Sequence, residues 1–208
     1  MELFDFGVQV VAISASGVFA PGPLFFANLL YGTKQGTRAG LKVACGHAAV
    51  ELPLIVALAA GLFTSSAAVQ YAGAIGVIGG VGILGFACLQ IADVVRRKNT
   101  VTAPAITNNK SPLVVGAALS ALNPFFLIWW FTIGLKLVTD SYTAFGFVPG
   151  IILLFGTHIW MDYAWLMGTA YLAAKGNSVL ESKYYPLLIV GLTAILAYYG
   201  IMFILQSM

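Results

Sequence analysis

The sequence predicts an all-α, polytopic membrane protein of about six transmembrane helices in two inverted three-helix repeats, and three observations carry that prediction. The 208-residue chain is 60% hydrophobic and only 8% charged, with a mean hydropathy of +0.94, too few polar groups to cover a water-soluble globule of this size. Its apolar runs reach the roughly 20 residues that a helix needs to cross a hydrocarbon core about 30 Å thick. One ionisable pair recurs, as His47-x-x-x-Glu51 and His158-x-x-x-Asp162, each time one span after a segment broken by proline.

The expected spans are residues 4–31, 40–62, 69–92, 113–137, 145–174 and 185–205. Residues 1–92 would form the first repeat, 93–112 a cytoplasmic linker rich in Asn and Thr, and 113–208 the second repeat. An odd number of spans per half makes the second half enter the membrane from the other side, a recurring transporter plan when helices are also broken. Glu2 and Asp5 stand where a signal peptide would carry basic residues, so no cleavage is expected.

The first span contains Ala20-Pro21-Gly22-Pro23. Pro21 and Pro23 lack N–H donors, and the residues before them are pushed away from helical angles. The break should release the carbonyls of Gly17 and Phe19 and start a half-helix whose free N–H groups attract anions. In the fourth span Asn123-Pro124 repeats this logic, with Asn as a favoured cap, Pro at the first helical position and the Ser120 carbonyl released. Pro21, Gly22, Pro23, Asn123 and Pro124 are therefore the candidate substrate-binding residues. The competing account is a packing kink satisfied by neighbouring helices.

The second span carries His47 and Glu51, the fifth His158 and Asp162. An i, i+4 spacing places imidazole and carboxylate on one helix face. Ionisable groups at that depth are costly to keep. Burial disfavours a charged carboxylate while a protonated histidine beside it favours one, so each pair can exchange a proton. A membrane potential adds about 2.3 kcal/mol per charge per 100 mV, enough to drive a solute uphill. The competing account is an internal ion pair that holds helices together.

The third span holds Gly73, Gly76, Gly79, Gly82 and Gly85 with Gly80 beside them. Such a row admits another backbone, from within the chain or from a second copy, so a homodimer is allowed and internal packing preferred. Tyr184 and Tyr185 fit an interfacial belt. Trp160, near the middle of its span, is expected to fill space between helices. Cys45 and Cys88 could form a redox pair, although small apolar packing is the better account of them.

Nine of the ten basic residues fall after the first, third and fifth spans, and only Lys136 falls in the opposite set of loops. The excess of Lys and Arg marks the cytoplasmic side, so both termini are predicted outside. The net charge of +3 thus reports topology and gives no reason to invoke nucleic acid. No nucleotide loop, Cys-x-x-Cys or nucleophile elbow is present, which points away from a primary pump or enzyme and implies no cofactor.

Ala20-Pro21-Gly22-Pro23, the basic segment Gly32-Thr33-Lys34-Gln35-Gly36-Thr37-Arg38-Ala39-Gly40, Leu122-Asn123-Pro124 and Asp162 together resemble the lysine exporter (LysE/RhtB) family of amino-acid translocators over nearly the whole chain. That resemblance implies efflux of amino acids or related metabolites by proton antiport from a prokaryotic plasma membrane. Glu51 and Asp162 would carry protons, with His47 and His158 tuning them. His47 and Glu51 are less typical of such proteins. The alternative is a divalent metal-cation permease in which His47, Glu51, His158 and Asp162 form a nitrogen–oxygen site. An electron relay through Cys45 and Cys88, or an intramembrane enzyme using the His–carboxylate pairs, has no motif behind it.

Overall fold

A computed structural model describes residues 2–20, 22–63, 110–176 and 185–207, with isolated positions between 77 and 92. Among them the chain is helical and contains no strand. The helices are α1 (Leu3–Val18), α2 (Pro23–Gln35), α3 (Thr37–Phe63), α4 (Pro112–Ala121), α5 (Pro124–Trp129), α6 (Leu135–Phe145), α7 (Phe147–Ala174) and α8 (Tyr185–Ser207), with a π-helical stretch, Trp130–Gly134, between α5 and α6. Pro21, Tyr184, residues 93–109 of the linker and most of the expected third span, including Gly73, Gly76, Gly79 and Gly82, lie outside the described residues.

α3 and α7, with 27 and 28 residues, are each about 40 Å long at 1.5 Å per residue, enough to cross a bilayer core. Two bent pairs reach the same length. α1 and α2 meet at 72°, and the chain from α4 to α6 bends by 58°, so the described residues hold two candidate membrane spans, or four if each bent pair is one span. The bends fall at the proline sites. Gly22 is extended at the start of α2, and Asn123 caps α5 by accepting the Phe125 N–H at 3.0 Å.

At both breaks a carbonyl expected to be released is recaptured. Gly17 C=O accepts the Ala20 N–H and Ser120 C=O accepts the Asn123 N–H, each at 3.2 Å. A tightened i+3 bond replaces the missing i+4 bond, which is how helices commonly end.

Elsewhere the turns are short because glycine takes left-handed angles. Gly36 at φ 58° ends α2 one residue before α3 begins, and Gly146 at φ 80° ends α6 one residue before α7.

In lipid, apolar side chains gain little by leaving the solvent, so close backbone approach decides the packing. A Cβ on Gly46 would lie 2.0 Å from Leu113 O, and one on Gly116 2.3 Å from Val43 O, which locks α3 on α4. Gly40 meets Leu166 O at 2.4 Å and Gly32 meets the Ala170 Cα at 2.8 Å by the same measure, seating α3 and α2 on α7. Gly80 packs internally in the same way, 2.7 Å from Gly200 O of α8. A buried cluster of Phe6, Val10, Ile13, Ile55, Trp130 and Leu154 fills one end of this frame.

Trp160 departs from expectation. It is 54% exposed on the outer surface of α7, where an indole in a membrane protein meets lipid and fills no interhelical space.

Candidate functional site

His47 and Glu51 lie near the middle of α3, His158 and Asp162 near the middle of α7. The pairing of Gly40 with Leu166, His47 with Asp162 and Glu51 with His158 shows that the two helices run antiparallel. All four polar side chains are buried, at 5%, 1%, 4% and 6% exposure for His47, Glu51, His158 and Asp162.

Within each helix His47 Nε2 is 3.4 Å from Glu51 Oε1 and His158 Nε2 is 3.3 Å from Asp162 Oδ2. Between the helices His158 Nε2 is 3.0 Å from Glu51 Oε1 and His47 Nε2 is 3.7 Å from Asp162 Oδ1. Exchanging the helices exchanges the contacts, so the tetrad has a local two-fold character. Two imidazoles and two carboxylates alternate around it.

Neighbours break that symmetry. Ser120 at the end of α4 lies with Oγ 2.7 Å from His47 Nδ1 and gives its proton to Gly116 C=O at 2.8 Å. A hydroxyl has one proton, so while Ser120 gives it to the Gly116 carbonyl it accepts from His47, whose Nδ1 then carries hydrogen. His47 Nε2, facing Glu51 and Asp162, is then the atom at which this imidazole gains or loses a proton. Trp130, the first residue of the π-helical stretch, donates its indole N–H to Glu51 Oε1 at 3.2 Å. The rings of Trp129 and Trp130 sit 5.8 and 5.4 Å from the His158 ring.

Several buried polar atoms are left without a hydrogen bond among the described residues: Glu51 Oε2, Asp162 Oδ2, His158 Nδ1 and the indole nitrogens of Trp129 and Trp165. Native proteins satisfy nearly all such atoms, with water or ligand where protein does not reach. Asp162 Oδ2 keeps only its ion-pair approach to His158. The first break adjoins this region, because Gly17 packs on Trp129, with a Cβ there 3.3 Å from the indole Nε1, and Phe19 and Phe25 flank Trp165 at 4.7 and 5.8 Å.

The structure thus brings His47, Glu51, His158 and Asp162 together, and places Ser120, three residues before the Asn123-Pro124 break, against them. Gly22 has open space around its Cα. Ser120 was not singled out as a site residue by sequence; a lone hydroxyl beside the Asn-Pro break was the one available signal for it. Cys45 and Cys88 are free thiols, and Cys45 Sγ accepts a hydrogen bond from the Tyr163 hydroxyl at 3.4 Å.

The family model for LysE type translocators matches residues 15–207, nearly the whole chain. No curated protein and no solved structure matches.

Proposed function

The chain belongs to the family of LysE type translocators, which are membrane transporters, and from that premise we propose that it exports amino acids or related small metabolites across a prokaryotic plasma membrane by proton antiport. The observation that carries this reading is the buried tetrad joining α3 to α7. The second broken segment touches it through Ser120 and Trp130, and the first packs on Trp129, whose ring neighbours His158; broken helices beside a buried polar site are a recurring transporter plan.

In this reading Glu51 and Asp162 take up protons from outside and release them inside, while the imidazoles relay them. The half-helix that starts at Gly22-Pro23 and the capped start at Asn123-Pro124 offer N–H groups to the substrate carboxylate, and Pro21 belongs to the same break. The antiparallel run of α3 and α7 supports the inverted arrangement of two halves, with residues 93–112 on the cytoplasmic side and both termini outside.

A second reading, a divalent-cation permease, is favoured by one observation: donor atoms of His47, Glu51 and Asp162 lie within 4.8 Å of one another. Neutral imidazole and carboxylate together suit zinc or manganese.

One experiment separates the two. Purified protein in liposomes with an internal pH dye is offered amino acids and then Zn²⁺, Mn²⁺ or Ni²⁺. Proton movement evoked by an amino acid and absent in Glu51→Gln supports the antiporter. Movement evoked by a metal alone overturns it in favour of the permease.

A further inference from the structure

The face of α7 that carries its half of the tetrad continues in both directions, and the two directions differ. Toward Ala174 the face runs His158, Asp162, Trp165 and Thr169, in steps of four, three and four residues, the spacing that stacks side chains along one side of a helix. Toward Phe147 the same steps give Leu154, Ile151 and Phe147, which lie in or against the apolar cluster of Phe6, Ile55 and Trp130. On this face the polar groups continue to one side of the tetrad, and hydrocarbon seals the other.

The polar side meets α2. Asn28, 0% exposed, donates to Leu166 C=O at 2.9 Å and to Thr169 Oγ1 at 3.0 Å, and Thr169 gives its proton to Trp165 C=O at 2.7 Å. Those bonds leave the Asn28 side-chain oxygen, Oδ1, buried without a hydrogen bond among the described residues, as are Trp165 Nε1, Asp162 Oδ2 and His158 Nδ1 along the stripe. The Trp165 indole is held by the first helix break, with Phe19 edge-on at 4.7 Å and Phe25 stacked at 5.8 Å. Turning its N–H elsewhere would displace both rings.

Leaving one buried donor or acceptor unpaired costs about 1–3 kcal/mol, so a row of them along one face points to a shared partner. That partner must both donate and accept, because the row holds an indole N–H beside carboxylate and amide oxygens. From residue 162 to 165 and from 165 to 169 the helix rises about 4.5 and 6 Å. One water spans such a gap with two hydrogen bonds of about 2.8 Å each, and buried water is the usual partner of polar groups that protein does not reach.

We propose that this stripe is the inner proton route of the transporter, a file of buried waters positioned by Asp162, Trp165 and Asn28 that joins the tetrad to the end of α7 placed at the cytoplasm. One turn beyond Thr169 the same face reaches Ala173, which is already half-buried. A proton given up by the Asp162 carboxyl passes to the first water, each water hands one of its own to the next, and the last releases one to the cytoplasm, while Asp162 keeps the negative charge. Trp165 and Asn28 carry no proton themselves and act as positioning residues. Files of polar groups inside a membrane protein recur as proton relays. With Leu154 and Ile55 closing the opposite side, this conformation exchanges protons with the inside. The proposal rests on the antiport reading and names the inner half of its proton path.

The test has two arms. In detergent-solubilised wild type, the ¹⁵N-labelled Trp165 indole N–H, assigned by its loss in Trp165→Phe, should show a direct NMR cross-peak to water although it is buried. In liposomes, substrate-for-substrate exchange needs no net proton transfer, whereas net efflux does. Trp165→Phe, which keeps a ring between Phe19 and Phe25 without the N–H, and Asn28→Leu, which keeps bulk without the oxygen, should retain exchange and lose most proton-coupled net efflux. Retained exchange also shows that the variants fold. A Trp165 indole with no contact to water, exchange and net efflux falling in equal proportion, or neither changing, would each overturn the proposal. Failure of the antiport reading shows separately, because wild type would then give no amino-acid-evoked proton movement.

Discussion

His158 Nε2 lies closer to Glu51 Oε1 on the opposite helix, at 3.0 Å, than either residue lies to its own partner one turn away, at 3.4 and 3.3 Å. The tetrad is therefore a joint between α3 and α7 as well as a set of two helical pairs. Removing one member leaves buried groups uncompensated. Glu51→Ala should cost about 3–5 kcal/mol of stability, while Glu51→Gln, which keeps the shape and can still accept from Trp130, should cost less. Thermal unfolding of the two variants in detergent checks the order. Equal stability of Glu51→Ala and wild type would show that the joint holds nothing.

The glycine contacts set the distance at which Ser120 meets His47. Gly46→Ala or Gly116→Ala places a methyl group within 2.0 or 2.3 Å of a backbone carbonyl that no rotamer change can move. Each should cost about 1–3 kcal/mol and reduce transport, because α4 and α3 must separate. Gly7→Ala, with nothing within 4 Å of its Cβ, should stay within about 0.5 kcal/mol of wild type. The same unfolding assay compares all three.

The cap on α5 should be separable from the chemistry. Asn123→Ala removes the acceptor of the Phe125 N–H and should cost about 1 kcal/mol. In transport it should raise the amino-acid concentration needed for half-maximal efflux. Asn123→Ser, another good cap, should recover most of the stability. A variant with unchanged concentration dependence would remove Asn123 from the substrate site.

Much of this arrangement is written in local sequence. The spacing of His47 with Glu51 and of His158 with Asp162 fixes each pair on one helix face, and Pro23 and Pro124 mark the start of their half-helices. Helix α3 starts and ends within three residues of the expected span, as does α7. The cross-helix contacts were not legible, because side chains 107 residues apart are brought together by the close approach of α3 to α7 at Gly40 and by no periodicity. Nor was the recapture of the Gly17 and Ser120 carbonyls, since i+3 closure depends on the exact angles at a break. Trp160 misled for a similar reason: depth in a span does not say which way a side chain faces, and α7 carries large apolar side chains on its exposed as well as its buried side.

The central claim is that proton movement through the tetrad drives solute movement. Its most direct test imposes a pH gradient on liposomes holding the protein and follows accumulation of a labelled amino acid against its own gradient, in wild type and Glu51→Gln. Accumulation by wild type that collapses when a protonophore dissipates the gradient, and is absent in Glu51→Gln, is the predicted result. Accumulation that ignores the gradient, or that persists in Glu51→Gln, would contradict the account.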